Sequence, residues 1–223
     1  MGTPLSPPLW RNRQEAGHAL GRQLAARGAL PATTLLLGLP RGGVVVAAAM
    51  GALLQRPVRP WSVRKVADPS WPELAIGAIA GGGISVWREG TAGSQQERAR
   101  RLGWLQATQA ELERRQRLYG DPEPAELSDR PLIVVDDGVA TGMTALAALR
   151  SLQLLKPASL LLAVPVIDHG IISRLQPLVD RIEALAVVEG LHAVGEWYES
   201  FPPVGDDAVL QLLHPGRDSS TAN

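Results

Sequence analysis

The sequence predicts an α/β fold, a mainly parallel twisted sheet flanked by helices, and three observations carry that prediction. Apolar runs at residues 33–39, 58–66, 131–135, 159–167 and 181–188 alternate with stretches of helical periodicity. The runs are nearly continuously apolar, the pattern of strands buried on both faces. Two of them end in glycine-bearing turns that lead straight into apolar helices, at Pro40-Arg41-Gly42-Gly43 and at residues 138–142.

The elements follow in order. Leu20, Leu24 and Ala25 fall at helical spacing within residues 13–27, and Gly28 offers a stop. The strand at 33–39, the glycine turn and an alanine-rich helix at 44–54 form one unit, and 58–66 is a second strand. Residues 67–90 change character. Short β-like pieces at 74–80 and 84–87, separated by Pro69, Pro72 and Gly81-Gly82-Gly83, predict a hairpin or excursion outside the core. Residues 94–118 read as one long charged helix with Leu102, Leu105 and Leu112 on one face and a solvated opposite face. A surface connection (119–130), a strand (131–135), a helix (143–155), a strand (159–167), a short helix (170–175) and a strand (181–188) complete the sheet. The residues after Leu213 read as a frayed tail.

Composition narrows the function. A length of 223 residues, 45% apolar and 20% charged, suits one well-filled core. Twenty-two basic and 22 acidic residues balance, so no excess field draws the chain toward nucleic acid or an anionic membrane. The absence of cysteine excludes disulfides, thiolate nucleophiles and cysteine-ligated zinc. The four histidines, His18, His169, His192 and His214, form no metal-ligand pair. No apolar run approaches the roughly 20 residues of a membrane span. The opening MGTPLSPPLW lacks the basic and apolar regions of a secretory signal, so a cytoplasmic protein is expected.

The chemistry concentrates after the strand Leu132-Ile133-Val134-Val135. Asp136 and Asp137 stand at its carboxyl end, where ligands bind in an open parallel sheet. Gly138, Val139, Ala140, Thr141, Gly142, Met143 and Thr144 then turn into a helix N-terminus, whose unpaired N–H groups and dipole favour an anion. Thr141 and Thr144 add hydroxyl donors. A phosphate fits that cradle, while the two carboxylates suit vicinal sugar hydroxyls. Together they describe a ribose 5-phosphate site, each charged hydrogen bond contributing about 1.5–3 kcal/mol. Ordinary turn and N-cap chemistry explains an isolated Asp-Asp-Gly equally well; the whole run is far more specific.

Residues 134–144 resemble the phosphoribosyl pyrophosphate (PRPP) signature of type I phosphoribosyltransferases. Leu39-Pro40-Arg41-Gly42-Gly43, Val63-Arg64-Lys65, the segment 72–78 and Ala193-Val194-Gly195-Glu196-Trp197-Tyr198 are similar to a bacterial family of stand-alone phosphoribosyltransferases of undefined substrate. Trp10-Arg11-Asn12-Arg13 with Glu15-Ala16-Gly17 resembles that family's opening, so the likeness covers nearly the whole chain. It implies one domain over 1–214 with a disordered tail at 215–223. It implies a flexible loop near 67–90 that closes over the site, and a hood made by the N-terminal segment and about 189–204. It also assigns the pyrophosphate to Arg41, Gly42, Gly43, Arg64 and Lys65, where glycine N–H groups and a guanidinium fork suit the anion. An ordinary glycine turn, and a snorkelling surface pair for Arg64 and Lys65, are the alternatives.

The implied reaction is Mg²⁺-dependent displacement of pyrophosphate from C1 of the ribose by a nitrogen acceptor, with Asp136 and Asp137 orienting the sugar and favouring the developing cation. Mg²⁺ would bind chiefly through PRPP and water. Ala140 stands where the 6-oxopurine enzymes carry a proton-transfer acid, which argues against a hypoxanthine-type enzyme. Trp197, Tyr198 and Phe201 are candidates for stacking on the acceptor or for a satellite core. Asp168 reads as a helix N-cap, and Glu73 is an unassigned acid. A homodimer is compatible with the sequence. The competing reading is a non-catalytic PRPP or nucleotide sensor; such proteins usually carry a DNA-binding domain, for which the residues before Trp10 leave no room. A dinucleotide-binding fold fails because residues 38–43 spell G-x-x-x-G-G.

Overall fold

Nearly every strand residue in the middle of the molecule is buried, and this follows from the order in which the elements come. The structure is a computed structural model that describes residues 8–67, 75–88 and 93–214. In chain order, α1 (Arg13–Ala26), β1 (Leu35–Gly38), α2 (Gly42–Leu54) and β2 (Val58–Pro60) come first, followed by β3 (Val63–Ala67), β4 (Ala75–Ala80) and β5 (Ile84–Trp87). The helices α3 (Gly93–Arg101), α4 (Trp104–Tyr119) and α5 (Pro124–Leu127) lead to β6 (Pro131–Val135), α6 (Met143–Gln153) and β7 (Ser159–Asp168). Last come α7 (His169–Leu175), β8 (Arg181–Val188) and α8 (Asp206–Leu213).

A five-stranded parallel sheet of order β2-β1-β6-β7-β8 forms the centre. Alternation along its strands divides the core. Leu36, Ile133, Val135 and Ala163 face Leu20 and Leu24 of α1 and Val46 and Met50 of α2. Leu35, Leu37, Leu132, Val134 and Leu162 face the other way, toward Leu146, Leu149 and Leu152 of α6. The main sheet is covered by helices on both faces, as its apolar strands require.

Three expectations are corrected. Residues 58–66 are not one strand: β2 pairs with β1 in the main sheet, and β3 leaves for a second, antiparallel sheet of order β3-β4-β5. The crossing is pinned where Trp61 Nε1 donates to Ser151 Oγ at 3.0 Å and Asp121 accepts from Ser62 N and Oγ at 2.6 and 2.8 Å. Residues 75–88 form the expected hairpin, yet they belong to the core. Ala78, Ala80 and Val86 pack with α6, and Ile76 and Ile79 pack with Ala99 and Leu112. The small sheet extends the cover over the apolar face of α6. The long charged helix is two helices, because Gly103 adopts φ 74° between them.

The strands 131–135 and 181–188 occupy the expected residues. The surface connection 119–130 is partly internal, since Tyr119 and Leu127 are fully buried. The helix α8 lies beyond the elements expected from the sequence and packs Val209 against Val44 and Tyr119. Glu73, part of the segment 72–78 and the tail 215–223 lie outside the described residues. No helix among the described residues is long and apolar enough to cross a membrane.

Candidate functional site

The carboxyl ends of β1 and β6 lie side by side, with Gly38 in register with Val135. Leu39 N donates to Val135 O at 2.8 Å, so the loops that leave these strands start in contact. The first loop runs through Arg41, the N-cap residue of α2, which has no side-chain cap bond. The helix then begins with two glycines. A β-carbon on Gly43 would lie 2.5 Å from Val135 O and 2.9 Å from the Asp136 Cα, and one on Gly42 would collide with the Asp137 carboxylate. Glycine is required here by close approach, and it brings the start of α2 onto the acid pair.

The second loop begins at that pair. Asp136 Oδ1 accepts from Asp137 N at 2.9 Å. Val139 is then laid against β7: its N–H donates to Val166 O at 2.9 Å and its carbonyl accepts from Asp168 N at 2.9 Å. That bridge engages both backbone groups of Val139 within the protein, so neither is left for an anion. Gly142 has φ 72°, and Ile171 would lie 2.5 Å from a β-carbon there, so conformation and space both demand glycine. Gly142 gives α6 no side-chain cap, and the first intrahelical bond runs from Leu146 N to Gly142 O at 2.8 Å. The amides of Met143, Thr144 and Ala145 therefore point out of the helix end, without a partner among the described residues. The hydroxyls of exposed Thr141 and half-buried Thr144 have no hydrogen-bond partner among the described residues.

Electrostatics single out the acids. Burial, then the charge of Asp137, pushes the Asp136 carboxyl well above the usual carboxylate range, against the pull of Lys65 and Arg13. Burial raises Asp137 too, opposed chiefly by its hydrogen bond from Arg13. Arg13 was absent from the expected site. It is 8% exposed, and its Nε donates to Asp137 Oδ2 at 2.7 Å.

Arg64 and Lys65 sit on the small sheet, because β3 leaves the main sheet. Lys65, exposed on β3, is close enough to pull on both acids. Arg64, its neighbour on the strand, is near Arg41, Arg115, Glu111 and Tyr119, and its Nε is buried without a hydrogen-bond partner. Burial and the like charge of Arg115 pull its guanidinium below the ordinary arginine value. Arg41 itself makes a loose 3.5 Å contact with Asp206, which also accepts from Tyr119 OH at 2.7 Å. Asp206 was missed because nothing near it in the sequence announces a partner for Arg41.

Residues 9–11 and 197–200, two segments expected in the hood, are hydrogen-bonded together through Leu9 N to Trp197 O at 3.1 Å and Glu199 N to Trp10 O at 2.9 Å. Within them Tyr198 is 4% exposed, packs against Trp10 and Phe201, and donates its hydroxyl to Asp137 O at 2.6 Å. Trp197 is half-buried on the same cluster. Asp168 caps α7, accepting from Gly170 N at 2.8 Å. No group of three or more His, Cys, Asp or Glu side chains among the described residues could hold a metal ion by itself.

Comparison with known proteins gives this geometry its family. No family model matches the chain. A curated protein of Mycobacterium tuberculosis, provisionally named a phosphoribosyl transferase, is 34% identical over 207 residues, 92% of this chain and 46% of that protein. The chain thus spans about half the length of the curated relatives it matches. The crystal structure of TT1426 from Thermus thermophilus is 33% identical and superposes with a TM-score of 0.71, covering 92% of this chain and 97% of that one. AQ2163 from Aquifex aeolicus, 11% identical with a TM-score of 0.50 over 84% of this chain and 85% of its own, shares the fold. The chain belongs to the same family as TT1426, and over 92% of its length it is similar to the mycobacterial proteins named as phosphoribosyl transferases.

Proposed function

We propose that this chain is a Mg²⁺-dependent phosphoribosyltransferase that uses PRPP as donor and a nitrogen base or amine as acceptor. One observation carries the reading: the glycine start of α2 and the open N-terminus of α6 flank one acid pair, with Gly42 and Gly43 pressed onto Asp137 and Asp136. Two anion cradles on either side of two carboxylates match a sugar that bears a phosphate at one end and a pyrophosphate at the other.

In this reading Ala140–Thr144 and the first amides of α6 hold the 5′-phosphate, the acids take the ribose hydroxyls, and Arg41, Gly42, Gly43, Arg64 and Lys65 take the pyrophosphate. The bond from C1 to the pyrophosphate oxygen breaks and its electron pair leaves with that group. A bond from C1 to the acceptor nitrogen forms, and the acceptor's proton passes to solvent. The carboxylates favour the cationic sugar between these events. The donor set fits the metal: one oxygen of Asp136 has no partner among the described residues, a hard ligand of the kind Mg²⁺ takes directly or through water. When bound, Mg²⁺ supplies charge that offsets the leaving pyrophosphate.

Calorimetric titration of the chain with PRPP and Mg²⁺, followed by a pyrophosphate-release screen across bases and amines, tests the proposal. Saturable binding that Asp136→Asn with Asp137→Asn weakens at least about tenfold is expected, since charged hydrogen bonds are at stake. An unchanged affinity in that variant would remove the ribose site from the acid loop. Binding without release against every acceptor favours the sensor reading instead.

A further inference from the structure

Four arginines from three elements gather beside the start of α2, with two carboxylates among them. Arg41 at the head of α2 and Arg114 of α4 each reach Asp206 of α8 at 3.5 Å, and Tyr119 OH donates to the same carboxylate at 2.7 Å. Glu111 of α4 accepts from Arg114 Nε at 2.7 Å and from Arg115 Nε at 2.8 Å. Arg64 of β3 completes the group, with Arg115 and Arg41 both close enough to act on its charge. Four guanidiniums against two carboxylates leave positive charge in excess, in a chain whose 22 basic and 22 acidic residues balance. Donors are left over as well. Arg64 Nε is buried without a hydrogen-bond partner. Arg115, its side chain 14% exposed, uses only Nε on Glu111, and its two terminal nitrogens have no partner among the described residues. Half-buried guanidiniums with open donors are costly to hold together, and an anion entering between them removes that cost.

Alternation along β3 separates its two basic residues. Arg64 shares a face with Val66, which packs with Leu112 of α4, while Lys65 shares the opposite face with Val63, which packs with α6. Lys65 pulls on Asp136 and Asp137, whereas Arg64 lies by Arg115 of α4. The strand is at the edge of the small sheet, so two linked phosphates laid across that edge meet one basic residue on each face. We infer that Arg115 joins Arg41 and Arg64 as a binding residue for the distal phosphate of the pyrophosphate, the one not bonded to the ribose, and that Lys65 meets the phosphate bonded to C1. This rests on the phosphoribosyltransferase reading and extends its pyrophosphate site from α2 and β3 to α4. Glu111 acts as a clamp that fixes Arg115 through Nε and leaves the fork of terminal nitrogens for phosphate oxygens. Arg41 can turn from Asp206 to the same phosphate without baring that acid, because Tyr119 and Arg114 remain on it.

Calorimetry with PRPP, inorganic pyrophosphate and ribose 5-phosphate, each with Mg²⁺, tests the assignment on the wild type, Arg115→Gln and Arg115→Met. Arg114 stays on Glu111 at 2.7 Å in either variant, so no carboxylate is left bare. Both variants should bind PRPP and pyrophosphate about tenfold more weakly, the loss of one charged fork, and ribose 5-phosphate within about twofold of wild type. A merely structural role would move all three ligands together, since ribose 5-phosphate depends on the same folded chain. If Arg115→Gln does not fold, Arg115→Met gives the same comparison, because its apolar chain fills the room of the arginine stem. Losses shared by all three ligands, or PRPP and pyrophosphate affinities within about twofold of wild type, overturn the role of Arg115 and leave the function standing. A wild type that binds no PRPP overturns both.

Discussion

Gly42 and Asp137 occupy each other's space: a β-carbon on the glycine would run into the carboxylate oxygen, with Arg13 Nε only 2.9 Å away. This contact joins the loop proposed to hold pyrophosphate to the loop proposed to hold the ribose. Gly42→Ala should cost about 1–3 kcal/mol of stability, the usual penalty for overpacking a filled site. It should also weaken PRPP binding at least about tenfold through the displaced acid, since a charged hydrogen bond is at stake. Denaturant unfolding and calorimetry on the same sample check both parts. Unchanged binding would mean that the acid pair moves without consequence for the donor.

Arg41 offers a cleaner division of the ligand. Its contact with Asp206 is 3.5 Å long, and Asp206 is already served by Tyr119 at 2.7 Å, so the guanidinium can turn to an incoming anion without leaving a carboxylate bare. Arg41→Gln should lower PRPP affinity by about tenfold or more while changing ribose 5-phosphate affinity less than about twofold, because only the first ligand carries pyrophosphate. Equal losses for both ligands would place Arg41 elsewhere.

Asp121 gives a pH dependence unconnected with the ligand. Burial pushes its carboxyl up to about 6, even though it accepts from Ser62 N and Oγ. The folded chain therefore holds this proton more tightly than the unfolded chain, and stability falls as pH rises from about 4 to about 6. The difference at neutral pH amounts to about 3 kcal/mol. The raised Asp136–Asp137 pair acts in the same sense. Asp121→Asn should reduce, and not abolish, the slope of unfolding free energy between about pH 4.5 and 7. Urea titrations at several pH values measure it, and an identical slope in the variant would contradict the assignment.

How far the sequence could be read depended on distance along the chain. Residues 131–135 and 181–188 were legible because each is an apolar run with polar or turn-forming residues after it, and that signal is local. The Asp136–Thr144 loop was legible because its acids, glycines and hydroxyls are contiguous. Arg13 was not, since its burial depends on an acid 124 positions later. The departure of β3 into a second sheet was equally hidden, since Asp121 and Ser151 hold the crossing at Trp61 and Ser62 from 59 and 90 positions away. The alternating pattern of 75–88 resembled an exposed hairpin because one face packs on α6 and the other on α4 through small residues and a few large ones.

Tyr198 decides what the hood aromatics can do. From the sequence its ring was a candidate to stack on the acceptor. In the structure the ring is 4% exposed, 5.6 Å from Trp10 and 4.9 Å from Phe201, and the hydroxyl donates to Asp137 O at 2.6 Å. Burial and the nearby Asp137 carboxylate push the phenol above its ordinary value, so it remains a protonated donor at any working pH. A group so placed supports the acid loop from behind. Tyr198→Phe keeps the packing and removes one hydrogen bond from a part-buried carbonyl, which should cost about 1–3 kcal/mol of stability. PRPP affinity should fall modestly, because the loop loses a restraint, while the ranking of acceptors in a release screen should not change. Trp197, packed against the same cluster, is half-buried. Trp197→Ala should raise the acceptor KM and leave PRPP binding intact. If Tyr198→Phe reorders the acceptors and Trp197→Ala does not, the acceptor reaches deeper than this packing allows and the cluster must open to admit it.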